Sequence, residues 1–145
     1  MNIDKKVADY MELYAKAGIG AGGIEPTAEN WKAVLEYPSE GKVYLVTQFI
    51  FTDNPVDAVT RLFGAEYFER YAKFRERLGA KDIFSGAMTG MWTGEDDAWQ
   101  TFQVTEFPNR EAVLAYVTDP LILETKKVRG SFIAKQRSFI VKPDE

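Results

Sequence analysis

Residues 96–120, DDAWQTFQVTEFPNREAVLAYVTDP, change their hydrophobic period partway along, and this change decides the fold. Up to Phe107 the apolar side chains alternate with a period of two, which predicts a β-strand. After Pro108 the apolar residues Val113, Leu114 and Val117 recur at helical spacing, and Asn109 is placed to cap that helix. The stretch therefore predicts a strand that passes directly into a helix.

The same transition occurs about fifty residues earlier. There the predicted strand KVYLVTQFIF (42–51) is followed by TDNP and then by a long helical pattern over 56–78, in which Gly64 is the expected place of a bend. KDIFSGAMTGMW (81–92) and SFIAKQRSFIVKP (131–143) predict two further strands, and LILETKKVRG (121–130) predicts a second helical segment after Pro120. The acidic turn 95–97 predicts a solvated hairpin tip. The order strand, helix, strand, strand, helix, strand predicts an α+β, ferredoxin-like βαββαβ fold, with an antiparallel sheet and both helices on one face.

Residues 1–40 predict an N-terminal helical extension that precedes the sheet domain of residues 41–145. The extension has an amphipathic helix over 3–17, glycines over 18–25 and a short helix that Thr27 can cap. Gly18, Gly20 and Gly23 match the spacing of a dinucleotide-binding loop, but that loop must follow a strand and here it follows a helix. We therefore expect a flexible linker.

The predicted strands carry apolar side chains on both faces, whereas the helices cover one face only. In the first strand Val43, Leu45, Phe49 and Phe51 share a face with Thr47, and Tyr44, Val46 and Ile50 share the other with Gln48. A bare apolar sheet face of this size is unusual on a soluble monomer. The pattern predicts a two-fold homodimer that packs sheet face against sheet face.

Composition excludes several kinds of chemistry. The 145 residues include no cysteine and no histidine, which excludes thiolate metal sites, cysteine nucleophiles, imidazole bases and Ser-His-Asp triads. The formal net charge of −4 gives no basic field for nucleic acid. No segment predicts a signal peptide or a membrane span, so we expect a cytoplasmic protein with no metal, no cofactor and no membrane or nucleic-acid partner.

Three segments resemble one known family: EPTAENWKAVLEYPSEGKVYLVTQFIF, GAEYFERYAKFRERLGAKDIFSGAM and the opening stretch around FPNREA and DP. Over residues 25–141 the chain resembles the dimeric α/β-barrel proteins of domain-of-unknown-function family thirteen-thirty, which are related to the antibiotic-biosynthesis-monooxygenase superfamily. The resemblance implies a dimeric α/β barrel. Thr47 stands where members often have Asn, Ile50 where they have a basic residue, and Lys126 and Lys127 where histidines are common. The helix before the glycines is an addition to the family pattern, placed to latch across the dimer.

The resemblance also implies a pocket between sheet and helices, lined here by aromatic and neutral polar side chains. The candidate ligand-binding residues are Thr47, Gln48, Tyr67, Tyr71 and Trp99, each of which can equally serve packing. One hypothesis is an accessory protein that binds a small aromatic or apolar molecule. The alternative is a cofactor-independent monooxygenase, cyclase or isomerase for an aromatic or polyketide-like substrate, with a tyrosine in place of the missing histidine. A purely structural dimer is the third.

Overall fold

The fold places four antiparallel strands in one sheet, in the spatial order β2-β3-β1-β4. The computed structural model describes residues 1–96 and 98–144, so Asp97 of the predicted acidic turn lies outside it. The strands are β1 (Val43–Phe51), β2 (Lys81–Ala87), β3 (Thr101–Phe107) and β4 (Ile133–Val141), and the helices are α1 (Ile3–Lys16), α2 (Ala28–Glu36), α3 (Pro55–Phe63), α4 (Glu66–Arg77), α5 (Arg110–Thr118) and α6 (Pro120–Lys126). The predicted α+β class and βαββαβ order are confirmed, and closure into a barrel stays a prediction.

Both predicted transitions from strand to helix depend on an asparagine cap. The Asn54 side chain accepts hydrogen bonds from the backbone N–H groups of Val56 and Asp57, and the Asn109 side chain accepts one from Ala112. Each bond satisfies an N–H group that the first turn of a helix otherwise leaves without a partner. Two short stretches of the sequence therefore determine where α3 and α5 begin.

The long helix expected over 56–78 is two helices. α3 ends at Phe63, and Gly64 adopts φ 87° and ψ 164°, far from the helical region, before α4 begins at Glu66. A positive φ costs little at glycine because it has no Cβ. The chain therefore breaks at Gly64 instead of bending.

The helices cover one face of the sheet, which we call the helix face. Of β1, Val43 and Phe49 face the helices and join core clusters that include Phe74, Val113 and Tyr116. The opposite face, the open face, carries large apolar side chains that water reaches: Ile83 on β2 is 53% exposed, Phe84 59%, and Phe139 and Val141 on β4 44% and 41%. The two faces predicted for β1 are confirmed.

One irregularity changes the face of a predicted residue. The pairing of β1 with β4 shifts register between Ile50 and Phe51, where Ile50 pairs with Lys135 and Phe51 pairs with Ile133. Because a bulge inserts one residue, the side chains beyond it change face. Ile133, which simple alternation places opposite Ile140, is 6% exposed and packs in the core on the helix face.

The N-terminal extension packs on the outer side of α5 and α6. Tyr14 and Trp31 form a cluster with Leu114 and Leu123, and the Tyr14 hydroxyl donates a hydrogen bond of 2.7 Å to the Val117 carbonyl. The extension therefore lies against its own chain, and Phe84 and Phe139 stay exposed on the open face. A latch across a dimer stays a prediction.

Charged side chains fix the rest of the extension. The Arg110 guanidinium, 6% exposed, donates to the carbonyls of Leu35 (2.9 Å) and Tyr37 (2.8 Å) at the end of α2. Glu25 binds Lys126 at 2.6 Å and Arg129 at 2.7 Å. The glycine segment thus ends in a buried ion cluster instead of the flexible linker expected, and the Lys126 side chain is buried within it. Within the described ranges, no helix has the length and apolar run that crossing a bilayer requires.

Candidate functional site

The five candidate residues divide between the two faces of the sheet. Thr47 lies on the helix face, where Ser138 donates a hydrogen bond of 3.3 Å to its hydroxyl, and Tyr67 and Tyr71 of α4 pack in the core on the same side. Gln48 lies on the open face, where its amide contacts Met88 Sδ at 3.4 Å. Trp99 lies with it, under Lys135 and Arg137. The structure therefore brings Thr47 and the two tyrosines to one side and leaves Gln48 and Trp99 on the other.

A line of neutral polar side chains crosses the helix face of the sheet. The strand register aligns Ser85 of β2 with Gln103 of β3, Gln103 with Thr47 of β1, and Thr47 with Ser138 of β4. We call these four residues the polar row. Side chains in register on neighbouring strands lie about 5 Å apart. Within the row Thr47 is buried, at 9% exposed, whereas Ser85, Gln103 and Ser138 are exposed to solvent.

Two buried oxygen atoms next to the polar row lack hydrogen-bond partners. Thr101 and Gln136 both pair in register with Phe49, which lies two residues after Thr47 on the same face of β1. Gln136 Nε2 donates to Ser138 Oγ at 3.0 Å, but Gln136 Oε1 and Thr101 Oγ1 are buried and have no partner among the described residues. A buried polar atom is usually satisfied by protein, water or ligand. These two oxygens are therefore free to accept a hydrogen bond from a further polar group.

Tyrosine hydroxyls lie on the helix side of the same layer. Tyr67 and Tyr71 stack at 6.0 Å between ring centroids. The Tyr67 hydroxyl is 2.5 Å from Thr125 Oγ1 of α6, and the Tyr71 hydroxyl is 2.5 Å from the Tyr116 hydroxyl of α5. The two tyrosines of α4 therefore hold it to both C-terminal helices through hydrogen bonds as well as packing.

Arg75 connects the tyrosines to the sheet. Its guanidinium lies 5.5 Å from the centre of the Tyr71 ring, and its two terminal nitrogens bind the Asp82 carboxylate at 2.6 and 3.1 Å. One of them also reaches Thr105 Oγ1 on the helix face at 3.5 Å. A cleft of about 350 Å³ opens beside this pair, lined partly by Ala72 and Gly79. The Arg75 guanidinium is thus neutralised by a carboxylate.

The electrostatics keep this layer uncharged near neutral pH. Burial raises the pKa of Tyr116 well above its usual value, and it also raises the pKa of Tyr67. Hydrogen bonds from Arg75 lower the pKa of Asp82, so that carboxylate stays ionised and paired. The layer consequently offers neutral hydroxyl and amide groups instead of a free acid or base.

Gln48 and Trp99 belong to a separate group on the open face. Gln48 is 4% exposed and accepts a short hydrogen bond from Arg137 Nε. Lys135 Nζ lies 4.8 Å and the Arg137 guanidinium 5.1 Å from the centre of the Trp99 ring system, so two cations contact one indole. A cavity of about 200 Å³ adjoins Trp99 and Met88. This group packs the base of the loop that joins β2 to β3.

Sequence reasoning missed seven residues of the helix-side layer: Arg75, Ser85, Thr101, Gln103, Tyr116, Gln136 and Ser138. Two had a readable signal, because Gln136 and Ser138 lie four and two residues before the apolar Ile140 and so share its face. Tyr116 had none, since its neighbours on α5 are apolar and a tyrosine there suggests packing. The contact between Arg75 and the sheet depends on tertiary structure alone.

Comparison with solved structures shows the fold. The crystal structure of RPA0582, a protein of unknown function from Rhodopseudomonas palustris, superposes with a TM-score of 0.68 and 24% identity, over 86% of this chain and 99% of that one. The methylated form of the same protein gives a TM-score of 0.68 and 23% identity, over 87% and 98% of the two chains. At3g17210 from Arabidopsis thaliana gives 0.51 and 18%, over 71% and 96%. No protein-family model and no curated protein matches the sequence.

Proposed function

We propose that this protein is a homodimer that binds a small aromatic or apolar molecule bearing neutral hydrogen-bonding groups, between the sheet and the helices. Two unpartnered oxygens beside the polar row, Thr101 Oγ1 and Gln136 Oε1, are the observation that supports the site. Membership of family thirteen-thirty and the dimeric barrel belong to the same proposal. They rest on the resemblance in sequence and on the exposed apolar open face.

The chemistry of the two oxygens defines the ligand. A carboxamide oxygen only accepts a hydrogen bond, whereas a threonine hydroxyl donates or accepts. The ligand should therefore present at least one donor, such as a phenol or an amide N–H, to Gln136. A formal charge on the ligand is disfavoured because Arg75 is already paired with Asp82 and an unpaired buried charge is costly. The rings of Tyr67 and Tyr71 offer an aromatic wall for the rest of the molecule.

The alternative is a cofactor-independent monooxygenase, cyclase or isomerase. The observation in its favour is the pair of hydroxyls on Tyr71 and Tyr116, with the Arg75 guanidinium over one ring. Binding is the better supported function because burial raises the pKa of Tyr116, which opposes formation of a tyrosinate base near neutral pH. Turnover would have to begin from a neutral tyrosine that donates a hydrogen bond.

Thermal unfolding in the presence of phenolic, amide-bearing and polyketide-like compounds tests the site. A compound at 100 times its dissociation constant stabilises the folded protein by about 2.7 kcal/mol, which corresponds to a rise in Tm of roughly 5 to 10 °C. Thr47→Val and Ser138→Ala each remove a hydroxyl of the polar row and should weaken binding roughly fivefold, the worth of one hydrogen bond. Ser39→Ala removes an exposed hydroxyl and is the matched control.

The outcomes separate the three hypotheses. A compound that binds unchanged supports the binding protein, whereas a compound that is altered on incubation, with turnover abolished by Tyr71→Phe, supports the enzyme. No rise in Tm across the panel leaves only the structural dimer. Light scattering at micromolar concentration tests the dimer, and a monomeric mass would contradict it.

A further inference from the structure

The loop after β2 exposes the most accessible large apolar side chain described. Trp92 is 97% exposed and its neighbour Met91 is 46% exposed. The other two tryptophans are buried, with Trp31 at 3% and Trp99 at 8%. Tryptophan is large and apolar, and it is enriched among the anchors of protein interfaces. A fully solvated indole on a loop has the size and apolar surface of such an anchor.

The base of this loop is fixed on the open face. Met88 N–H donates to the Gln100 carbonyl at 2.9 Å, and Met88 Sδ accepts from Gln48 on the open face at 3.4 Å. At the other end, the Asp96 side chain accepts from Ala98 N–H at 2.8 Å. We call residues 88–96 the arm. Its two ends are held by hydrogen bonds while its apolar tip points to solvent, beside the exposed apolar surface of the sheet.

The open face alone is small for a stable dimer. The exposed parts of Ile83, Phe84, Phe139 and Val141 amount to roughly 350 Å², taking about 150 to 250 Å² for a large side chain. A stable interface buries about 800 Å² on each partner, of which roughly 450 to 520 Å² is apolar. Trp92 and Met91 add roughly 300 Å² more and bring the apolar surface to roughly 650 Å², above that apolar figure. The arm supplies the area that the sheet lacks.

We infer that the arm reaches across to a second copy of this chain and anchors there through Trp92, an inference that rests on the proposed dimer. In a two-fold interface each copy gives its arm and receives the other. Charge is complementary too, because the arm ends in the acidic Glu95 and Asp96 and the open face carries Lys135 and Arg137 on β4. The same acidic residues repel the anionic surface of a membrane, which disfavours a lipid surface as the occupant.

Tryptophan fluorescence can follow the arm directly because Trp92 alone of the three tryptophans is exposed. We expect acrylamide quenching of the wild-type protein to fall several-fold as its concentration rises from nanomolar to tens of micromolar and the dimer forms. Trp92→Ala should abolish this change and weaken dimerisation by roughly 30-fold or more, as truncation of an interface anchor does. Leu62→Ala on α3, a side chain that is 47% exposed far from the arm in sequence, is the control and should leave both unchanged.

Phe139→Asp separates the arm from the dimer. If Phe139→Asp dissociates the protein while Trp92→Ala leaves the dissociation constant unchanged, the inference that the arm anchors the dimer is wrong. The proposal of a sheet-face dimer is then still supported. If the wild type stays monomeric over the whole concentration range, both are wrong. If quenching of Trp92 falls only when phosphatidylserine vesicles are added, the arm binds lipid and the inference is overturned. A concentration-dependent fall in the wild-type protein, together with a dissociation constant that Trp92→Ala raises and Leu62→Ala leaves unchanged, supports it.

Discussion

Glu25→Gln should destabilise the protein by about 3 kcal/mol, because it removes the only negative charge that contacts two buried cations among the described residues. The Glu25 carboxylate is 6% exposed, and it binds Lys126 Nζ at 2.6 Å and Arg129 Nη2 at 2.7 Å, whose side chains are 7% and 13% exposed. Glutamine keeps the shape and loses the charge. Breaking a buried ion pair by removing one partner costs about 3 to 5 kcal/mol, since the remaining charge is left without compensation. We take the low end because the amide oxygen still accepts one hydrogen bond.

Urea unfolding measures this loss. With a slope of about 1 to 3 kcal/mol per molar for a small protein, a change of about 3 kcal/mol lowers the midpoint by roughly 1 to 3 M. Asp9→Asn is the matched control, because it removes the carboxylate of an exposed pair with Lys5 at 3.3 Å, and surface pairs contribute only about 0 to 1 kcal/mol. The control should barely move the midpoint.

Equal effects of Glu25→Gln and Asp9→Asn would refute the reasoning, since the buried cluster would then contribute no more than a surface pair. The double variant Glu25→Gln with Lys126→Met sharpens the test. Replacing a buried pair by apolar groups is often neutral. The double variant should therefore recover part of the stability that Glu25→Gln alone loses, although Arg129 remains.

Two further changes probe the pH response and the backbone. Burial lowers the pKa of Lys126 to about 8 from an ordinary value of 10.5, so the unfolded chain binds more protons between these values and the free energy of unfolding should rise as pH increases from 8 toward 10.5. Lys126→Met should show a smaller rise in urea midpoints measured across that window. Gly79→Ala should cost about 1 to 2 kcal/mol because Gly79 has φ +74°, whereas Gly20→Ala, at a negative φ with open space, should be neutral or slightly stabilising by thermal unfolding. A similar loss at both glycines would show that the conformation of Gly79 is not the cause.

The sequence predicts the order of elements because its signals are local. The asparagine caps at 54 and 109 and the change of hydrophobic period beside each lie within ten residues, so no tertiary contact is needed to find where α3 and α5 begin. The faces of β1 follow from alternation alone. Alternation fails for Ile133 because a bulge interrupts the pairing at Ile50 and Phe51, and a bulge has no sequence signal in these apolar residues.

The candidate site is less predictable because it depends on register. Thr47 is identifiable as a polar residue on an apolar face, but its neighbours Gln103 and Ser138 become neighbours only when three strands align. Trp99 was expected on a strand, and the structure starts β3 at Thr101. Trp99 then contacts Lys135 on the open face. Because β3 starts two residues after Trp99, Trp99 lies on the opposite side of the sheet from Tyr67 and Tyr71.

Two consecutive residues on α6 have side chains on opposite sides of the helix, so α6 connects the candidate site to the N-terminal extension. The Thr125 hydroxyl meets Tyr67 on the inner side, while Lys126 meets Glu25 on the outer side. If the proposed ligand enters beneath Tyr67 by a rotation of α6, that rotation must also strain the ion cluster on the other side of the helix. Removal of residues 1–40 would then change the affinity for the ligand, and a fluorescent probe attached near the N-terminus would respond to ligand binding.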